Sequence, residues 1–127
     1  MELNRADIVA EVRAAFEKYE RALIDNDIAT LDAFFWDDSD TVRYGVTESL
    51  YGYAAIAGFR RRRSPLNLDR VLRRIVIATF GADYATVSAE FDRPDSPTVR
   101  QSQTWVRFPE GWRVVAAHVS LLPTGDA

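Results

Sequence analysis

From residue 68 onward the chain stops reading as helix. Four long runs rich in β-branched and aromatic residues follow one another, at about 70–80, 84–92, 98–108 and 111–122. Gly81-Ala82-Asp83, Arg93-Pro94-Asp95-Ser96-Pro97 and Pro109-Glu110-Gly111 separate them. These are short hairpin connections, so the strands run antiparallel. A sheet of this kind must bury one face, and the first half of the chain supplies the cover. The pattern predicts one α+β domain over 1–127, with helices packed on one face of a curved antiparallel sheet.

The first helix is expected at 4–25, capped by Asn4 with Asp7 in its first turn. Ile8, Val12, Phe16, Tyr19 and Leu23 recur at steps of three and four and form its buried stripe. Tyr19 lies inside that stripe, so its hydroxyl needs an interior partner, either backbone or ligand. Asn26-Asp27 breaks and recaps into a short helix at 28–35. Asp37 to Asp40 make a polar turn without the glycine and distal glutamate of a calcium loop. Thr41 to Val46 is strand-like, and Leu50-Tyr51-Gly52 reads as a turn. A third helix follows at 53–63, ending before Pro65.

Arginine is the residue out of place. Arg43 sits within a strand, and Arg60 to Arg63 close the third helix. A guanidinium keeps its charge, so a buried one must meet an anion. Ile56, Phe59, Arg60 and Arg63 share one helix face, while Arg61 and Arg62 fall off it and are solvated. The alternative is a basic helix C-terminus answering the macrodipole. For Arg43 the alternatives are a ligand anion or an ion pair with Asp40, Glu48 or Glu90.

Composition removes several chemistries. With no cysteine and one histidine, His118, cysteine-based metal sites and disulfides are excluded and an imidazole metal centre is disfavoured. No metal or cofactor is expected. A net charge of −3 offers no field for nucleic acid. No apolar run spans a membrane and the N-terminus lacks a signal-peptide layout, so a cytoplasmic address is expected. Alternation in the last strand puts Trp112, Val114, Ala116, His118 and Ser120 on one face and Arg113, Val115, Ala117, Val119 and Leu121 on the other. The second set is too apolar to face water, and a homodimer through it is expected.

The runs TVRYG, E-x-L-Y-G, A-I-x-x-F-R-x-x-R, RQSQTWVR and P-E-G-W-R-V-V-A-A-H-V-S, with Y-E-x-A-L-x-x-N-D in the first helix, resemble the AtzH/HpxZ-type proteins. These belong to the cone-shaped nuclear transport factor 2-like, SnoaL-like group. The resemblance implies catabolism of small carboxylated ureas: decarboxylating amidohydrolysis of 1,3-dicarboxyurea to allophanate in one branch, an oxalurate link in the other. It further implies that Tyr19 and Arg43 hold substrate carboxylates. A planar carboxylate meets a guanidinium through two parallel hydrogen bonds. Arg60, Arg63, Gln103 and Trp36 are the other candidate substrate contacts. Gln103 offers both a donor and an acceptor to a urea. With Tyr19 and Arg43, His118 completes the candidate catalytic set; it is either the general base or a core histidine. Three functions remain open: a metal-free enzyme on a carboxylated urea, a non-catalytic partner of an amidase, or a small-ligand or oligomerisation module.

Overall fold

The computed structural model describes residues 1–65 and 68–123. Helix α1 spans Ala6–Ile24, α2 Ile28–Ala33 and α3 Tyr53–Arg62. Strands β1 (Val42–Tyr44) and β2 (Ser49–Tyr51) precede α3; β3 (Val71–Phe80), β4 (Tyr84–Asp92), β5 (Thr98–Phe108) and β6 (Gly111–Leu122) follow it. The four long strands lie where the sequence pattern predicts them. The sheet order is β2-β1-β6-β5-β4-β3. All neighbours are antiparallel except β1 and β6, which run parallel. The segment read as a Leu50-Tyr51 turn is instead the edge strand β2, closing a hairpin on β1.

Helix α1 buries Ile8, Val12, Phe16, Tyr19, Ala22 and Leu23 against the inner face of the curved sheet. Trp105, Val87, Phe91, Val99 and Val114 answer from the strands. Asp27 caps α2 by accepting from the Thr30 amide at 3.2 Å.

Asn4 does not cap α1. It adopts φ 53° and ties the N-terminus to β3, its Oδ1 accepting from the Thr79 amide at 2.9 Å. Its own amide donates to the Thr79 carbonyl, also at 2.9 Å. The helix begins after it, with Arg5 at the cap position and no side-chain cap. A short polar side chain suits both the positive φ and the bond.

Strand β6 carries one feature that strict alternation misses. Thr104 pairs with Ala116 but Trp105 pairs with Val114, so Val115 is an extra residue. Before the bulge Trp112 and Val114 point inward; after it Ala117 does. The inward set is therefore split, and neither predicted face survives as drawn. Ala117 and Val119 lie on the inner face, so the predicted dimer surface of Val115, Ala117, Val119 and Leu121 does not exist as one patch. The slip falls where β6 changes partners. Val114 is bonded on its outer edge to the Phe34 and Trp36 backbones, and Ala116 begins the pairing with β1.

The tether predicts an ordering of variants. Asn4→Gly keeps the backbone conformation but loses the side-chain bond, costing about 1 kcal/mol. Asn4→Ala adds the left-handed penalty, about 1 kcal/mol more. Thermal unfolding should rank wild type above Asn4→Gly, and Asn4→Gly above Asn4→Ala.

Candidate functional site

The inner face of the sheet, α1 and the end of α3 enclose a cavity of about 100 Å³. Tyr19, Leu23, Arg43, Arg60, Arg63, Leu68, Arg70, Arg93, Val99, Gln101 and Val119 line it. Its volume is far below the ~300–1,000 Å³ of drug-sized ligand sites. It suits a compact anion.

Three of these arginines are held in the same way. Arg43 donates to Glu48 at 2.7 Å and lies 5.6 Å from the Phe59 ring. Arg60, only 4% exposed, donates to Asp32 at 2.6 Å and lies 4.9 Å from the Phe35 ring. Arg70 donates to Glu20 through Nε at 3.0 Å and lies 3.8 Å from the Phe91 ring. Each has one carboxylate for charge and one aromatic face for its plane. Burial pushes the Glu20 carboxyl up against the pull of Arg70. At Glu48 burial works the same way but is outweighed, and hydrogen bonds from Thr47 and Arg43 hold the carboxyl below its ordinary range.

Arg63 breaks the pattern. It follows α3 in an extended conformation (φ −74°, ψ 152°), so its side chain leaves the helix and turns into the cavity. Its Nε and Nη2 are buried and have no hydrogen-bond partner among the described residues. Burial pushes this guanidinium down; repulsion from Arg60, Arg43 and Arg70 adds to that, while Tyr19 opposes it. Half-buried, repelled and with two nitrogens unmet, Arg63 is where an anion gains most.

Of the residues selected from sequence, Tyr19, Arg43, Arg60 and Arg63 meet around this cavity. Three others do not line it. His118 is exposed and on the opposite face of the sheet: it pairs with Tyr44 and Ser102, while Ala117 pairs with Arg43 and Gln103. The bulge at Val115 reverses the alternation that had pointed it inward. Its ring contacts Tyr44 at 5.6 Å instead, so the general-base role is withdrawn. Trp36 stacks on Phe108 at 5.7 Å and lines a separate depression with Asp32, Glu110 and Arg113. Its amide bond to the Val114 carbonyl anchors it there. Gln103 is buried on the cavity's side of the sheet without lining it, and its Oε1 accepts from the Trp105 indole at 3.1 Å.

Sequence reasoning missed Arg70, Arg93 and Gln101, and did not assign Glu20 and Asp32 to arginines. Gln101 had a usable signal, since it shares a strand face with Gln103. The ion pairs bridge residues 28 and 50 apart in sequence and left none.

The family-model comparison matches residues 1–125 to the AtzH-like family. The chain belongs to the AtzH-like family. A Pectobacterium atrosepticum protein of unknown function is 55% identical, with 95% of each chain covered and a TM-score of 0.93. A cystatin-like fold protein from Burkholderia xenovorans is 51% identical, covering 98% of this chain and 99% of that one, with a TM-score of 0.94. A 19% identical NTF2-like protein of unknown function from Pseudomonas putida, at a TM-score of 0.75, shares the fold. No curated protein matches. No helix among the described residues is long and apolar enough to cross a membrane.

The contrast between the arginines predicts opposite signs. Arg63→Met removes a half-buried charge with two unmet nitrogens and should stabilise the unliganded protein by about 1 kcal/mol, raising Tm by roughly 3–5 °C. Arg60→Met leaves the mostly buried Asp32 with only the exposed Arg61, at 3.3 Å, and should cost about 2 kcal/mol. Calorimetric melts of the two variants without ligand check this.

Proposed function

We propose that the protein is a decarboxylating amidohydrolase of small carboxylated ureas, with 1,3-dicarboxyurea, giving allophanate, as the leading substrate and oxalurate-like compounds as the next. The observation that carries the reading is Arg63, a half-buried guanidinium with two unpartnered nitrogens beside Tyr19 in a cavity sized for a compact anion. Membership of the AtzH-like family, with the resemblance carried by its motifs, supports this choice of substrate class.

The chemistry constrains the pose. Decarboxylation turns a carboxylate into neutral carbon dioxide, so a cation gripping the departing group would hold the ground state and slow the step. The carboxylate that stays is therefore the one bound by Arg63 and Arg43. The departing carboxylate faces the apolar wall of Leu23, Val99 and Val119, where loss of charge is favoured. A proton reaches the adjacent nitrogen and the bond between that nitrogen and the carboxylate carbon breaks. Its electron pair stays on nitrogen and carbon dioxide leaves. The dianion plus one proton becomes the allophanate monoanion. Tyr19 is the residue lining the cavity that can pass this proton, directly or through a water. The arginine-lined wall repels a metal cation, and the reaction as drawn requires none.

The protein is further proposed to self-associate through the outer sheet face, where Val76, Phe80 and Tyr84 are exposed large side chains on β3 and β4. Phe80→Glu should shift the sedimentation coefficient to that of the monomer; an unchanged value removes this surface from consideration.

Carbon dioxide release from freshly prepared 1,3-dicarboxyurea tests the activity. Oxalurate has no carboxylate on nitrogen and reacts only by hydrolysis of its ureido carbonyl, consuming water and giving oxamate, ammonia and carbon dioxide; its release of carbon dioxide is followed alongside. Wild type should accelerate release from one of them, Arg63→Met should lose at least ~100-fold in kcat/KM, and Tyr19→Phe should lose mainly kcat. Wild-type rates equal to the uncatalysed reaction sink the enzyme reading. Retention of an amidase on the immobilised protein in that case would favour a non-catalytic partner role.

A further inference from the structure

Two glutamines on the inner face of β5 are more than nine-tenths buried, Gln101 at 5% and Gln103 at 3% exposure. The Nε2 of Gln103 is buried without a hydrogen-bond partner among the described residues, whereas the Gln101 amide, though outside strict hydrogen-bond geometry, is drawn to the Glu20 carboxylate. Such groups are costly, since an unmet buried donor forfeits about 1–3 kcal/mol. For Gln103 the orientation of the amide is chemically determined. An indole N–H can only donate, so the atom it meets at 3.1 Å must be the oxygen, and the amide nitrogen occupies the free end. Trp105 itself is fully buried and makes an edge contact with Tyr19 at 6.3 Å between centroids.

The strand register places this donor. Gln103 pairs with Ala117, and Ala117 pairs across β6 with Arg43. Ala117 contributes only a methyl group, so nothing bulky stands on that row between the glutamine and the arginine. Gln101 is one inward position along the same strand and lines the cavity. Tyr19 lines it from above while touching Trp105. The cavity thus has a cationic side, and on the same inner face of the sheet, outside the lining itself, the buried Gln103 N–H awaits an acceptor.

The geometry points to a second recognition element: Gln103 forms a neutral donor subsite for the amide or ureido carbonyl oxygen of the ligand whose carboxylate sits at Arg63. This rests on the anion-cavity reading and deepens it. The ligand class becomes a carboxylate with a carbonyl oxygen close by, and simple carboxylates are poor ligands. A site built to hydrogen-bond an oxygen rejects the analogue lacking it, because its own donors then stay unmet.

Titration calorimetry with two stable probes tests it. Malonamate carries a carboxylate and an amide carbonyl; isovalerate has the same shape with methyl groups in place of the amide. Wild type should bind malonamate about tenfold more tightly. Gln103→Met should abolish that preference by weakening malonamate alone. Gln103→Glu keeps an acceptor for the Trp105 indole, so it guards against a folding artefact, and it should lose malonamate too. Arg63→Met should lose both probes. Equal weakening of both probes in the two Gln103 variants, or an undiminished preference, overturns the donor subsite while leaving the anion cavity standing. Failure of wild type to bind either probe overturns the anion cavity, and the subsite with it.

Discussion

A guanidinium does not shed its proton inside a protein, so every arginine drawn into the cone must be answered by negative charge. The architecture around the cavity follows from that demand. Glu48 meets Arg43 within the β1–β2 hairpin, Asp32 of α2 meets Arg60 and Arg61 of α3, and Glu20 of α1 meets Arg70 just before β3. The last two link segments distant in sequence, and the aromatic rings at Phe59, Phe35 and Phe91 fix the orientation of the charged planes. Buried pairs of this kind contribute little net stability, because desolvation consumes most of the attraction. Their value is positional: they hold three cations still around a fourth that has been left unanswered.

Leaving Arg63 unanswered places the protein in conflict with its own stability. Under the proposed function the empty cavity is the destabilised state and an entering anion relieves it, so ligand affinity and folding cost share one source. The position of Arg63 makes this arrangement possible. One residue earlier it would still be helical, alongside the exposed Arg61 and Arg62. The change to extended backbone at the end of α3 redirects one side chain of a four-arginine run into the interior.

The elements were largely legible in the sequence because periodicity is local. The helical stripe from Ile8 to Leu23 and the four strand runs between 70 and 122 needed only their own neighbours to be read. The family resemblance extended this to the cone. The site was legible in part: Tyr19, Arg43, Arg60 and Arg63 could be selected as polar groups within apolar patterns. Glu48, five residues from Arg43, could be named among its candidate partners; Asp32 and Glu20 could not, since nothing in a carboxylate's local context says which distant arginine it will meet. His118 went astray for a different reason. Alternation is a sound rule only for an uninterrupted strand, and no residue type marks Val115 as an insertion.

That inserted valine has a wider meaning. It acts as a phase shift: the two halves of β6 obey the same two-residue rhythm, offset by one beat. The first half delivers Trp112 and Val114 to the hydrophobic core; the second delivers Ala117, the smallest chiral side chain, to the row between Arg43 and Gln103. If the offset moved past position 118, Ala116 would take the row between Arg43 and Gln103, and an imidazole would stand opposite Gln101 where Val119 stands now. The same amino acids would then line a basic, proton-accepting chamber instead of one that grips and donates. The character of the cavity is thus written in where the strand slips as much as in which residues the strand contains.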